Sequence, residues 1–211
     1  MRMPTTKTET KQTNPAGEND KIQAWVKAAQ AGQRTSFERL ADRYYSAIYR
    51  MAYYRTHNRM DAEDITQDVF AKAFKGLGRL TDANHFKAWL FQIAINRVRD
   101  FHRRKKLTRL FKPLADDAGD TQPDQFETTS PGPYELLRRQ RFQQESEKFM
   151  ARLSKTEKEI FMLRFFDQLQ FNEIATALQR SESTIKTHLY RALAKFKHDH
   201  QFREFLKGDS A

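Results

Sequence analysis

Cysteine is missing altogether from these 211 residues. Its absence excludes disulfides, thiolate metal centres and a cysteine nucleophile, and it fits a reducing compartment. Long apolar runs are missing too. The longest uncharged apolar-rich stretch, Ala88 to Ile95, falls far short of the roughly 20 residues that span a bilayer. Residues 1–19 are rich in Thr, Lys, Gln and Asn and lack the apolar segment of a secretory signal, so a disordered tail is expected there. Glycine (7) and proline (6) are sparse, there is no Gly-rich phosphate loop, and no stretch alternates apolar and polar residues as a strand does. Acidic residues are the minority: 38 Lys+Arg against 27 Asp+Glu give a net charge of +11, a field that attracts polyanions. The expectation is a cytoplasmic, all-α chain that is not an integral membrane protein.

What remains is helical spacing. Ile22, Trp25 and Val26 begin it, and Phe37, Leu40, Ala41, Tyr44, Tyr45, Ile48, Met51 and Ala52 recur at three- and four-residue intervals. Asp61 is the expected cap of the next helix, which carries Ile65, Val69, Phe70, Ala73, Phe74 and Leu77 and closes at Gly76 and Gly78. After a loop from Arg79 to His85 a third stripe follows: Phe86, Trp89, Leu90, Ile93, Ala94 and Phe101. Four of the six prolines then fall between 113 and 133. The segment 113–135 holds six carboxylates and no Lys or Arg, whereas residues 85–112 carry nine Lys/Arg against the single acid Asp100. Helix breakers and a reversal of charge therefore mark a boundary. The division expected is a tail over 1–20, a helical domain over 21–110, a flexible acidic linker over 111–133, a second helical domain over 134–206 and a tail over 207–211. In the second domain Ser154 and Glu157 have the spacing of a capping box.

Three constellations carry function. Phe171, Ile174, Ala175 and Leu178 lie on one helical face, and Ile185, Leu189, Ala192, Leu193 and Phe196 lie on another, with a short turn between them. This is the layout of a helix-turn-helix, whose second helix enters the major groove. Ser181 suits the N-cap of that helix, and Gln179 stands where such turns prefer a glycine. A corner of a helical bundle is the plainer reading of the same pattern. The second constellation is the basic helix with interleaved aromatics, Phe86 to Phe101, which runs into Arg103, Arg104, Lys105 and Lys106. It suits phosphates and unpaired bases. Its plainer reading is a core face (Trp89, Leu90, Ile93) backed by a solvated one. Asp61, Asp64 and Asp68 form the third, an acidic helix edge able to meet a basic partner, or merely charge matched to the helix dipole.

In this order the motifs resemble the extracytoplasmic-function class of bacterial sigma factors, the smallest members of the sigma-70 family. The resemblance rests on Asp61-Ala62-Glu63-Asp64…Gln67-Asp68-Val69-Phe70, Trp89-Leu90…Ile93-Ala94-Ile95-Asn96, Leu153-Ser154…Phe161…Arg164-Phe165 and the terminal helix pair. It implies a first domain like sigma region 2, with Asp64, Gln67, Asp68 and Phe70 docking on core RNA polymerase. It implies that Asn84, His85, Phe86, Asn96, Arg97, Arg103 and Arg104 contact the −10 element, where a base leaves the stack. The second domain resembles region 4, and Ser183, Thr184, Lys186, Thr187, Tyr190 and Arg191 are implied as contacts to the duplex −35 element. Arg180 departs from the family's usual apolar residue in the turn, and Gln179 from its glycine. The implied partners are core RNA polymerase, promoter DNA and an anti-sigma factor, with no cofactor, no metal and no small-molecule substrate. The linker is implied to thread the RNA channel, where its carboxylates would imitate RNA, with a solvated tether as the equal alternative.

Two other classes fit parts of the same pattern. One is a helix-turn-helix regulator that binds duplex DNA without polymerase, although no sustained heptad seam for a dimer is present. The other is a helical RNA-binding or scaffolding protein that uses the basic run.

Overall fold

The computed structural model describes residues 15–111 and 144–198. Among these residues eight α-helices occur in this order: α1 Pro15–Gln30, α2 Arg34–Thr56, α3 Arg59–Gly76, α4 Phe86–Phe111, α5 over 144–152, α6 Lys155–Phe165, α7 Phe171–Leu178 and α8 Glu182–His198. No strand occurs among the described residues. Helix α1 starts inside the stretch expected to be a tail. The rest of that tail (1–14), most of the acidic linker and the C-terminal boundary at 206 lie outside the described residues.

The local reasons for these boundaries are visible. Gly32, at φ 93, turns the chain between α1 and α2, a conformation any other side chain would strain. His57 ends α2 in the left-handed region (φ 52), its N–H donating to the Tyr53 carbonyl at 2.8 Å. Asn58 then caps α3, its side chain accepting the Asp61 N–H at 3.0 Å. This corrects the expectation for Asp61, which occupies the third helical position while the more N-terminal Asn58 supplies the cap. Ser154 and Glu157 form the expected capping box of α6.

Helices α2, α3 and α4 pack around Leu40, Ile48, Met51, Ile65, Phe86, Leu90, Phe91 and Ile95, all fully buried. Burial of each such side chain stabilises by about 1.5–3 kcal/mol. Gly76 lets α3 end hard against α4, for a Cβ there would stand 3.3 Å from the Trp89 ring. At the other end, Phe149 sets its ring edge-on to Phe161 and Phe196, each at 5.5 Å, and so joins α5, α6 and α8.

The two halves do not stand apart. Helix α7 lies along α4, and Ile160, Leu163, Leu169 and Ile174 join the same buried cluster as the core of α2–α4. Polar contacts fix this arrangement: Lys87 to Glu173 at 2.9 Å, and Arg55 to both Glu159 (3.2 Å) and Asp167 (2.9 Å). Nothing in the spacing of either half announced this seam.

Candidate nucleic-acid interface

The helix-turn-helix is built by capping. Gln179 takes φ 54, ψ 49, the conformation in which a glycine was expected, at a cost of about 1 kcal/mol. The Arg180 N–H donates to the Ala175 carbonyl (2.9 Å) and the Gln179 N–H to that of Thr176 (3.2 Å), closing α7 with the pairing typical of a left-handed C-terminus. Ser181 then caps α8, its hydroxyl oxygen accepting the Thr184 N–H at 3.3 Å. Ile185, Leu189 and Ala192 point into the core. Ser183, Lys186, Thr187, Tyr190 and Arg191 face outward, Tyr190 with 63% of its surface exposed. Thr184 is half-buried and shares its hydroxyl with Ser181 at 2.8 Å, so of the six expected contacts it is the least available. Lys186 reaches Glu182 at 3.4 Å and lies over the Phe171 ring.

At the other basic surface the expected residues form a strip instead of a cluster. Asp82 organises its N-terminal end by accepting the Asn84 N–H and side-chain amide, both at 2.9 Å, with His85 Nδ1 also 2.9 Å away. The Asn84 backbone bond, above all, holds the Asp82 carboxyl below the usual range. Gln23 donates to Asn84 at 2.6 Å, and Gln30 donates to the Leu77 and Leu80 carbonyls, so α1 anchors the whole 77–85 segment. Asn84 and His85 are exposed there. Asn96 is exposed roughly 15 Å further along α4, with Arg103 and Arg104 about another 10 Å on. Phe86 does not belong to this strip. Its ring is 1% exposed, wedged between Tyr44 (5.5 Å) and Trp89 (6.0 Å). The expectation that Phe86 touches DNA is therefore corrected: it begins α4 as a core residue that no base can reach.

The acidic edge runs along α3. Asp64 and Gln67 are exposed, while Asp68 and Phe70 are half-buried. Asp68 accepts from Arg97, which links an expected polymerase contact to an expected DNA contact and leaves the guanidinium only 16% exposed. Beside this edge lies a feature missed in the sequence, a ladder of stacked rings in which Phe70, Tyr45, Tyr49 and Tyr53 follow one another at 6.2–6.4 Å. The three tyrosines recur every four residues, which was the available signal. Their number among core aromatics concealed it.

Among the described residues no group of three or more His, Asp or Glu could hold a metal ion, and no helix is long and apolar enough to cross a membrane.

Comparison with known proteins follows the same division. Residues 40–108 match the family described as Sigma-70 region 2, and residues 144–196 match Sigma-70, region 4. The chain is 32% identical over 186 residues to the ECF RNA polymerase sigma factor BldN of Streptomyces coelicolor, an alignment covering 85% of this chain and 66% of that one. It is 30% identical to the RNA polymerase sigma factor YlaC of Bacillus subtilis, covering 78% of this chain and 91% of the relative. CnrH bound to the cytosolic domain of CnrY shares the fold, with a TM-score of 0.60 at 23% identity, over 85% of this chain and 96% of that one. RpoE bound to the anti-sigma factor NepR, from Bartonella quintana, does so at 0.55 and 21%, over 81% of this chain and 96% of that one.

Proposed function

The chain belongs to the extracytoplasmic-function class of the sigma-70 family, and from that premise we propose how its surfaces divide the work of starting transcription at chosen promoters. The outward face of α8, with Ser183, Lys186, Thr187, Tyr190 and Arg191, reads duplex −35 DNA, Lys and Arg pairing with guanine edges or phosphate. Asn84, His85, Asn96, Arg103 and Arg104 follow the −10 strand once it is unpaired, with Arg97 joining them when it leaves Asp68. Asp64, Gln67, Asp68 and Phe70 dock on core polymerase. The chain itself is not catalytic: it supplies position, in the cytoplasm, and an anti-sigma factor is its regulatory partner. The observation that carries this reading is the capped α7–α8 pair with its solvent-facing polar and basic side chains.

The seam between the halves must part for this to happen. Elements centred at −35 and −10 are separated by about 85 Å of duplex at 3.4 Å per base pair. The packed arrangement is then the resting form, and binding energy from polymerase and promoter opens it.

The test is co-elution with sigma-free bacterial core polymerase, followed by run-off transcription from a pooled promoter library. A one-to-one complex that selects a few promoters supports the proposal. Absence of a complex, with tight DNA binding by the chain alone, would favour the polymerase-independent regulator.

A further inference from the structure

Where the two halves meet, an open cleft of about 620 Å³ is bounded by the C-terminus of α2, the middle of α4, the N-terminus of α6 and the α7–α8 turn. Arg55, Arg99, Lys155, Lys158 and Arg180 line it, and Glu159 is its only carboxylate. Glu159 is already taken by Arg55. Among the described residues no hydrogen bond or ion pair engages the side chains of Arg99, Lys155, Lys158 or Arg180, and all four are exposed. Four unpaired cations from three elements thus converge on one space, where each raises the electrostatic energy of the others.

Two of these positions also run against local preference. Lys155 and Lys158 stand in the first turn of α6, where the positive end of the helix dipole favours acids. Choices that oppose local stability and share one cavity point to a function for the cavity. Tyr54, Val98, Met162 and Leu178 supply an apolar part of its wall, beside His57, His102 and Thr156.

We propose that this cleft binds a nucleoside polyphosphate, the phosphates meeting Arg99, Lys155, Lys158 and Arg180 while the base lies on the apolar wall. Guanidinium–phosphate contacts are the strong, charge-assisted kind, and a cavity of this volume lies within the range of ordinary small-molecule sites. Because the walls come from both halves, the bound molecule holds them together and favours the packed form. Binding itself does not depend on the promoter-reading role.

The experiment is calorimetric titration of the full chain at fixed ionic strength with ATP, GTP, inorganic tripolyphosphate and adenosine. The expected result is one-to-one binding of ATP or GTP, tripolyphosphate weaker by about tenfold or more, and no heat from adenosine. Arg99→Ala and Arg180→Ala, both at exposed positions, should each weaken ATP or GTP about tenfold while melting like the parent chain. Lys106→Ala, in the basic run outside the cleft, should not. Several equivalents per chain, equal losses with Lys106→Ala, or tripolyphosphate as tight as ATP and GTP would overturn the proposal, since each signals general attraction to a chain of charge +11. A dye pair across the two halves supplies a second readout. ATP or GTP should increase the packed population in the parent chain and not in Arg180→Ala, and an increase that persists in Arg180→Ala would also count against the site.

Discussion

Removing Arg55 should open the molecule. Its guanidinium is 7% exposed and donates to Asp167 (2.9 Å), Glu159 (3.2 Å) and the Met51 carbonyl (3.0 Å). The Asp167 side chain is wholly buried and its Oδ1 has no hydrogen-bond partner, so Arg55 is its main compensation. Burial pushes the Asp167 carboxyl above the usual range even with Arg55 pulling it down. In Arg55→Ala the packed form must keep an unpaired buried carboxylate, at about 3–5 kcal/mol, or protonate it. Protonating an ordinary aspartate at pH 7 costs about 4 kcal/mol, so the two routes agree. Once the halves part, water solvates Asp167 and most of the penalty disappears. The packed-to-open ratio should therefore fall by roughly 10²–10³ at pH 7. Because the chain has no cysteine, Lys72→Cys and Ala194→Cys place a unique dye pair on exposed sites of the two halves for single-molecule energy transfer. The sign of the pH effect follows from the raised pKa. In the variant, packing takes up a proton, so it should recover as pH falls toward 5. Adding Asp167→Asn should restore packing at pH 7. Unchanged transfer in Arg55→Ala, or a double variant as open as the single one, would refute the reasoning.

Other substitutions test the remaining surfaces. Lys186→Ala and Arg191→Ala should each reduce run-off transcription from promoters with a strong −35 element by about tenfold, at 1–3 kcal/mol per good base contact, without changing co-elution with polymerase. Phe86→Ala should lower stability by about 3–5 kcal/mol in chemical denaturation, with or without DNA, as befits a core ring. Gln179→Gly should raise the melting temperature through relief of about 1 kcal/mol at φ 54, with promoter selection unchanged. Glu157→Gln keeps the reach to the Ser154 N–H and loses the charge that Lys195 meets at 2.6 Å. The Lys195 hydrogen bond, chiefly, lowers the Glu157 carboxyl in the folded state. Its stabilisation is thus complete above about pH 4.5 and lost as pH falls through the lowered value. A urea series from pH 7 to pH 3 should show that loss in the parent chain and not in Glu157→Gln.

The helices were legible because their signals are local. The 37-40-44-48-51 spacing, the Ser154/Glu157 box and Ser181 before a polar helix each concern residues within a turn or two of one another, and the structure uses all three as read. Gln179 shows the same logic from the other side, since a residue in the wrong place for its backbone was noticed and does take the strained conformation. Asp61 failed because Asn58, three residues earlier and also a cap-forming type, accepts the Asp61 N–H and supplies the cap. Phe86 failed for a different reason. An aromatic beside a basic run satisfies both a stacking surface and a helix that starts in the core, and only the contacts with Tyr44 and Trp89 separate them. The Arg55–Asp167 pair was illegible because its members stand 112 positions apart in the sequence, and neither lies in a pattern of its own.

That pair also explains how a packed form can be specific and still reversible. An interface made only of Ile160, Leu163 and Ile174 against α4 would gain stability from every apolar contact, with little to fix its geometry. Setting Arg55, Asp167, Lys87 and Glu173 around it reverses that balance. Each charge loses water on packing and regains it on opening, so the pairs add little net attraction while strongly disfavouring any misaligned seam. The halves therefore meet in one arrangement. On the proposed function, with two DNA elements about 85 Å apart to be reached, the seam also has to part, and pairs that regain water on opening suit that.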